Sequence, residues 1–435
     1  MPQPITLCVP DSELVDLRDR LARTRFPDSA PGEPWLYGTS VDYLRSLVDY
    51  WRGPFDWRAQ ETRLNAFPQF KIRRPDYELH FLHVPGKGGD PMPLLLMHGW
   101  PGSVFEFLDL IPRLSDPVGF GGDPADAFTV VAPSLPGYGL SFRLGQKRFG
   151  VEEMADCLAE LMTDTLGYKR FAVQGGDWGA ITAARMGYAH ADKLVGIHVN
   201  LLAVRREPGR IKHSTPEERV FLDQLNHWLR EETGYQWIQG TRPQTLSFGL
   251  TDSPAGLAAW IVEKFRAWSD CGGDVENVFT RDLMLADISF YWFTGAIGSS
   301  FYPYYFRLHR PWMIPDGASV TAPTGYAEFP REILRPPRSL AETMFTDIRR
   351  WTVMPKGAIS PQWSSPTPSR RRCAPSIVRS GDELGAGRGR EAHMPSRPRP
   401  QPLSDRRRFA HGGIVHHRMN VEIVCGRCAR SRAGS

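Results

Sequence analysis

Apolar residues along the chain first follow a helical period. From Glu13 to Arg25, Leu14, Leu17 and Leu21 recur at helical spacing, with Asp11 placed as N-cap and Pro27 just beyond the end. A second helical stretch covers Val41 to Trp51. Together they predict an N-terminal helical segment that wraps around the rest of the fold. The period then shortens, and the runs Leu79 to Val84, Pro93 to Met97, Phe128 to Ala132 and Phe171 to Gln174 read as strands, with a helical pattern at Glu152 to Thr165. A helix from Ala180 to His190 leads into another apolar strand, Leu194 to Val199. Alternating strands and helices predict the α/β class, with a mostly parallel sheet covered on both faces.

Between about Val204 and Phe306 the pattern is helical again and rich in aromatics, among them Trp228, Tyr235, Trp237, Trp260, Trp268, Tyr291 and Trp292. An aromatic helical insertion after a central strand predicts a lid over a pocket at the carboxyl edge of the sheet. Sheet signals resume at Ser319 to Pro323. Past Trp351-Thr352-Val353-Met354-Pro355 the periodicity ends in Pro, Ser and Arg.

Composition changes this picture mainly at the C-terminus. The 435 residues are 41% hydrophobic and 23% charged, an ordinary globular balance, with a formal net charge of +5. From Ile359 onward the chain has 15 Arg, no Lys and 5 acidic residues, which leaves residues 1–358 at −5. The basic excess belongs to the tail, so nucleic-acid binding by the folded part is not expected. Six scattered cysteines, Cys8, Cys157, Cys271, Cys373, Cys425 and Cys428, make no disulfide framework. With no signal peptide pattern and no long apolar run, a soluble cytoplasmic protein without membrane contact is expected. Cys425-Gly426-Arg427-Cys428 with His411, His416 and His417 has the residue types of a metal knuckle, but a lone C-x-x-C is a weak signal. No metal site is assigned.

The chemistry concentrates at Gly175-Gly176-Asp177-Trp178-Gly179. A glycine-flanked nucleophile between a strand and a helix is the pattern of a nucleophile elbow, here with a carboxylate where esterases carry serine. Taken alone, the string reads more readily as an ordinary turn with Asp as helix N-cap. The preceding apolar strand and the following helix favour the elbow. An exposed Asp there attacks carbon and forms an ester, so the substrate must break an alkyl–oxygen or alkyl–halogen bond. His98-Gly99-Trp100-Pro101-Gly102-Ser103, directly after a strand, is placed to supply a second backbone donor, the amide of Trp100, beside that of Trp178. His98 itself reads as a structural hydrogen-bonding residue.

These motifs, with Thr251-Asp252-Ser253-Pro254-Ala255-Gly256-Leu257-Ala258 and with Tyr291-Trp292 followed by Ser299-Ser300, resemble the epoxide hydrolases of the α/β-hydrolase fold. The branch is the one that includes the microsomal enzymes, and this chain is more similar to its soluble bacterial and fungal members than to the membrane-anchored ones. The resemblance covers roughly residues 3–358. It implies an α/β-hydrolase fold in which an N-terminal extension (1–107) merges into the first part of the core (78–203). A helical lid (204–306) and the second part of the core (307–358) come next, and then an aberrant, disordered tail (359–435). It also implies that Asp177 is the nucleophile and that Tyr235 and Tyr304 are lid tyrosines that bind the epoxide oxygen and protonate the alkoxide. Glu332 would orient a histidine, and Trp100 and Trp178 would form the oxyanion hole. Tyr302 and Tyr305 crowd Tyr304, so that position could slip by a residue. The substrates implied are a small apolar epoxide and water, with no cofactor and with a homodimer open. Haloalkane dehalogenase chemistry, or a non-catalytic remnant of the fold, are the alternatives.

One part of the family pattern is missing. In the family, Gly-Gly-His-Phe-Ala-Ala comes after the last strand, and its histidine activates water. Here Met354-Pro355-Lys356-Gly357 is in register, but Ala358-Ile359-Ser360-Pro361 comes next and no histidine is found. Shifting the reading frame by one base makes the codons from Ala358 compatible with His-Phe-Ala-Ala-Met-Glu-Gln-Pro. That suggests a one-base deletion near codon 358, with an out-of-frame tail rich in Arg, Pro and Ser. A genuine basic tail is the rival reading.

Overall fold

A computed structural model describes residues 1–204 and 215–357. The predicted tail at 359–435, its C-x-x-C and the position of the family histidine all lie outside the described residues. Nine strands form one sheet in the order β1-β2-β3-β5-β4-β6-β7-β8-β9. They are β1 (Gln3–Ile5), β2 (Gln69–Arg73), β3 (Glu78–Val84), β4 (Met92–Met97), β5 (Phe128–Pro133), β6 (Phe171–Gly175), β7 (Leu194–Val199), β8 (Thr324–Glu328) and β9 (Ile348–Val353). The pairings from β1 to β5 through β3 are antiparallel, and the remaining pairs are parallel. Leu94, Leu95, Leu96 and Met97 of β4 are fully buried, the unbroken apolar run expected of a parallel strand covered on both faces. Each contributes about 1.5–3 kcal/mol of hydrophobic stabilisation relative to exposure.

Helices α1 (Asp11–Ala22), α2 (Val41–Arg52) and α3 (Trp57–Asn65) precede the parallel core. The short α4 (Ile111–Ser115) and α6 (Asp177–Ala189) pack on the sheet, and α5 (Val151–Glu160) packs against α6. The lid helices are α7 (Pro216–Glu231), α8 (Gly234–Thr241), α9 (Pro243–Asp252), α10 (Pro254–Ala267), α11 (Arg281–Thr294) and α12 (Tyr302–His309); α13 (Arg338–Ala341) lies between β8 and β9. The N-terminal helices brace the lid. Thr39 donates to the Ala259 carbonyl at 2.7 Å, the Tyr50 hydroxyl to Asp282 at 2.9 Å and the buried Trp51 indole to Ser289 at 3.0 Å. A buried donor left unpaired costs more than the bond contributes, so these contacts fix where the lid sits over the core.

The structure departs from the sequence reading at several element ends. The cap of α1 is Pro10, and Asp11, already helical, turns its carboxylate to Arg58 instead of capping. α6 begins at Asp177, not Ala180. The strand expected at Ser319 to Pro323 is only an isolated bridge from Val320 to Phe345, and the paired strand is Thr324–Glu328. Apolar character at 319–323 reflects packing at the sheet's end: Val320 and Ala322 lie against the α6 position Gly187. The strands β1 and β2 and the helix α3 carried too little periodic signal to be predicted. Among the described residues, no helix is long and apolar enough to cross a membrane.

Candidate active site

Close backbone packing shapes the junction of β6 and α6. A Cβ added to Gly179 would lie 2.5 Å from the Met97 carbonyl oxygen, and one on Gly99 would lie 2.4 Å from the Asp177 Cβ. Glycine is required at both, because the elbow and the turn after β4 approach to backbone distance. Asp177 takes a left-handed φ of 45°, which costs a non-glycine residue on the order of 1–3 kcal/mol and is tolerated where the surrounding structure imposes it. The same turn puts its carboxyl at the end of the sheet's parallel core, with its Cα at the N-terminus of a helix whose dipole favours an anion.

The turn at residues 98–103 meets it there. The Trp100 amide donates to Asp177 Oδ1 at 2.8 Å across 77 residues of sequence. His98 is buried and holds this turn in shape. Its Nε2 accepts from the Leu135 amide at 3.0 Å, which leaves the proton on Nδ1 to donate to the Gly99 carbonyl at 2.9 Å. Burial pushes its pKa down to about 4, opposed by the bond to Gly99, so the ring is neutral and occupied on both nitrogens. Below the turn, the Tyr291 hydroxyl of α11 donates to the Gly102 carbonyl at 2.8 Å and ties lid to core.

Two lid phenols are brought together above this floor. Tyr235, in the first turn of α8, stacks on Trp100 with ring centroids 5.5 Å apart at 11°. Tyr304 of α12 meets Trp178 edge-on at 4.8 Å, and the two phenol rings lie 5.6 Å apart. Both are 4% exposed. Burial first, and then the Asp177 carboxylate, raise the Tyr235 pKa above its usual value. For Tyr304 burial leads, and Tyr235 and Asp177 add to it. Both phenols are therefore protonated throughout the neutral range. Gln236 donates its side-chain amide to the Tyr235 oxygen at 2.8 Å, leaving that phenol's proton free for another acceptor. Of the three neighbouring tyrosines, Tyr302 and Tyr305 pack on Phe306 and are half-buried, while Tyr304 alone has a ring contact with Trp178.

Glu332 lies away from this cluster, after β8. It is 5% exposed, and its Oε1 accepts from the Ile333 amide at 2.9 Å. The chain returns to it from β9. The Met354 amide donates to the Glu328 carbonyl at 2.8 Å and the Arg331 amide to that of Gly357 at 3.2 Å, so the described chain ends one residue away from Glu332. The other histidines with resolved ring contacts are engaged elsewhere: His80 with Ser134 and Gln69, His83 with Tyr168, His190 with Asp156, His309 with the Tyr305 carbonyl. Among the described residues no group of three or more His, Cys, Asp or Glu could hold a metal ion.

Sequence reasoning missed two residues here. Tyr138, 1% exposed, packs edge-on against His98 at 5.3 Å, and burial with the nearby Asp177 carboxylate raises its pKa. Lys264 of α10 has its ammonium 4.8 Å from the centroid of the Tyr235 ring. A signal for the second existed: Lys264 stands on the apolar face that Leu257, Ile261 and Trp268 define, where a cation is out of place.

A family model described as "Epoxide hydrolase N terminus" matches residues 2–107, and one for the "alpha/beta hydrolase fold" matches residues 92–232. A Stigmatella aurantiaca relative assigned to the epoxide hydrolases is 41% identical over 354 residues, covering 81% of this chain and 80% of its own. "Epoxide hydrolase 1" of Oryctolagus cuniculus is 35% identical over 384 residues, with 82% and 84% coverage. Among solved structures, the juvenile hormone epoxide hydrolase of the silkworm Bombyx mori superposes with a TM-score of 0.73 at 29% identity, covering 84% of this chain and 91% of that one. Aspergillus niger epoxide hydrolase gives 0.72 at 28%, with 83% and 92%. With an elbow carboxylate under paired lid phenols and these relatives spanning most of both chains, the chain belongs to the epoxide hydrolase family and has its α/β-hydrolase fold.

Proposed function

We propose that this chain takes up a small apolar epoxide as an Asp177 ester and lacks the base that would release it as a diol. The chain's division into extension, core, lid and tail belongs to the same reading. Asp177 attacks an epoxide carbon, the carbon–oxygen bond breaks, and Tyr235 and Tyr304 bind the departing oxygen, one phenol giving it a proton. The ester carbonyl then lies where Oδ1 is held now, facing the Trp100 amide, with the Trp178 amide in the first turn of α6 as the second donor. Glu332 would orient the missing histidine. The observation that carries the proposal is the Trp100 amide at 2.8 Å from a carboxylate roofed by two buried phenols. Paired phenols suit an alkoxide leaving group, whereas a haloalkane dehalogenase has no use for them. No cofactor enters the scheme. The buried free thiols Cys157 and Cys271 fit a cytoplasmic protein, and a homodimer would add nothing to a site whose residues all come from one chain.

We attribute the missing base to a one-base deletion near codon 358, supported by the family-like reading hidden in the next frame. An intact, in-frame locus in the source DNA would refute that origin. The chemistry is tested by incubating the full chain with styrene oxide and recording intact mass. The expected result is one stable adduct, abolished in Asp177→Ala. Multiple-turnover diol formation would overturn the missing base, and no adduct at all would favour a non-catalytic remnant.

A further inference from the structure

Lys264 is a lysine in the wrong place for a structural residue. It projects from the apolar face of α10, its side chain is 9% exposed, and its ammonium lies 4.8 Å from the ring centroid of Tyr235 and 5.4 Å from that of Trp268. Removing an ammonium from water costs several kcal/mol, and its ion pair with the neighbouring Glu263, at 2.5 Å, offsets part of this. Pairing alone would be met equally well at the surface. What burial adds is the position over the phenol. Tyr235 is thereby held between the stacked Trp100 indole and a cation, while Gln236 donates to its oxygen. Tyr304 has a different setting: no cation stands over its ring among the described residues, and the ring rests edge-on against Trp178 and Trp100.

We propose that Lys264 is a positioning residue that makes Tyr235 the proton donor of ring opening and leaves Tyr304 to hold the oxygen. This rests on the proposed roles of Asp177 and the two phenols. As the bond from Asp177 oxygen to the epoxide carbon forms and the carbon–oxygen bond of the ring breaks, the alkoxide takes the proton from Tyr235. Negative charge appears on that phenol, and the phenolate later regains a proton from water. A cation on the ring face interacts modestly with a neutral phenol and far more strongly with a phenolate, at short range and away from solvent. The interaction therefore strengthens as the proton leaves, which is the condition for accelerating the step rather than merely binding substrate.

The rate of adduct formation with styrene oxide, followed by intact mass on the full chain, tests this with a double-mutant cycle. Lys264→Met should slow the reaction about ten-fold, and Lys264→Arg should restore most of the rate, because guanidinium also sits well on a ring face. In the Tyr304→Phe background Lys264→Met should still cost about ten-fold, whereas in Tyr235→Phe it should cost less than about two-fold. A loss of packing or folding would slow all backgrounds alike, and thermal melts of each variant check it directly. Equal slowing in both backgrounds, or a Lys264→Met rate equal to the wild type, overturns the proposal for Lys264. A Tyr235→Phe chain reacting at the wild-type rate overturns instead the role of Tyr235, and absence of adduct in the wild type overturns both.

Discussion

The two halves of this molecule's active centre are built from very different amounts of chain. The half around Asp177, the proposed nucleophile, comes from segments that end well inside the fold: β4 and its turn, β6 and its elbow, and the lid helices α8 and α12. Its donor, carboxylate and phenols are in contact. The half that would supply water activation rests on Glu332 after β8 and on the residues beyond Gly357, after β9. On the proposed function, a late change in the chain would spare the first chemical step and remove the second.

Restoring the frame at codon 358 is the largest perturbation of that contrast. It should convert single ester formation into continuous diol production, with adduct no longer accumulating in the intact mass spectrum. In the restored chain, Glu332→Gln should return the adduct, since an unoriented histidine is a poor base. A restored chain that still stalls would place the defect in the nucleophile half.

A smaller effect tests how tightly that half is built. In Gly99→Ala the new methyl would need space 2.4 Å from the Asp177 Cβ, so carboxyl and donor must separate. Displacement of about 1 Å costs on the order of 100-fold in a positioned reaction. Adduct formation should fall by that order while the far-ultraviolet circular dichroism is unchanged. A rate within two-fold of wild type would mean that the turn yields easily.

The smallest effect concerns pH. Burial depresses the His98 pKa to about 4 in the folded chain, against about 6.5 unfolded. Between those values the unfolded state binds the extra proton, so the stability from a neutral His98 is present above pH 6.5 and is lost as pH falls toward 4. At pH 5 the loss is about 2 kcal/mol for this residue. Urea midpoints at pH 7 and pH 5 should differ less in His98→Gln than in the wild type. Identical pH dependence in the two would show that His98 does not report the turn's acid sensitivity.

Legibility in the sequence depends on the range of the interaction. The elbow, the turn at 98–103 and the aromatic lid are contiguous motifs legible by residue type, although Gly99 and Gly179 are required by each other's segments, far apart in sequence. The strand after the lid was displaced by five residues, because buried valine and alanine at 320 and 322 look like strand whether they pair or merely pack. β1 and β2 were missed because short edge strands carry little periodic signal and gain their partners from distant segments. Tyr138 was missed for the same reason, since nothing near it in sequence says what it faces, whereas Lys264 betrayed its burial by its place on an apolar helix face but not the ring it stands over.

By itself, then, the sequence determined the α/β class and singled out Asp177 as the candidate attacking carboxylate, since these depend on residue identity and local spacing. Only the tertiary structure decided that the Trp100 amide grips Asp177, that Tyr304 and not its neighbours packs on Trp178, and that an ammonium stands over Tyr235. Those contacts join positions tens to a hundred or more residues apart, and which of them form is settled by how helices and sheet pack, a choice that no short stretch of chain encodes.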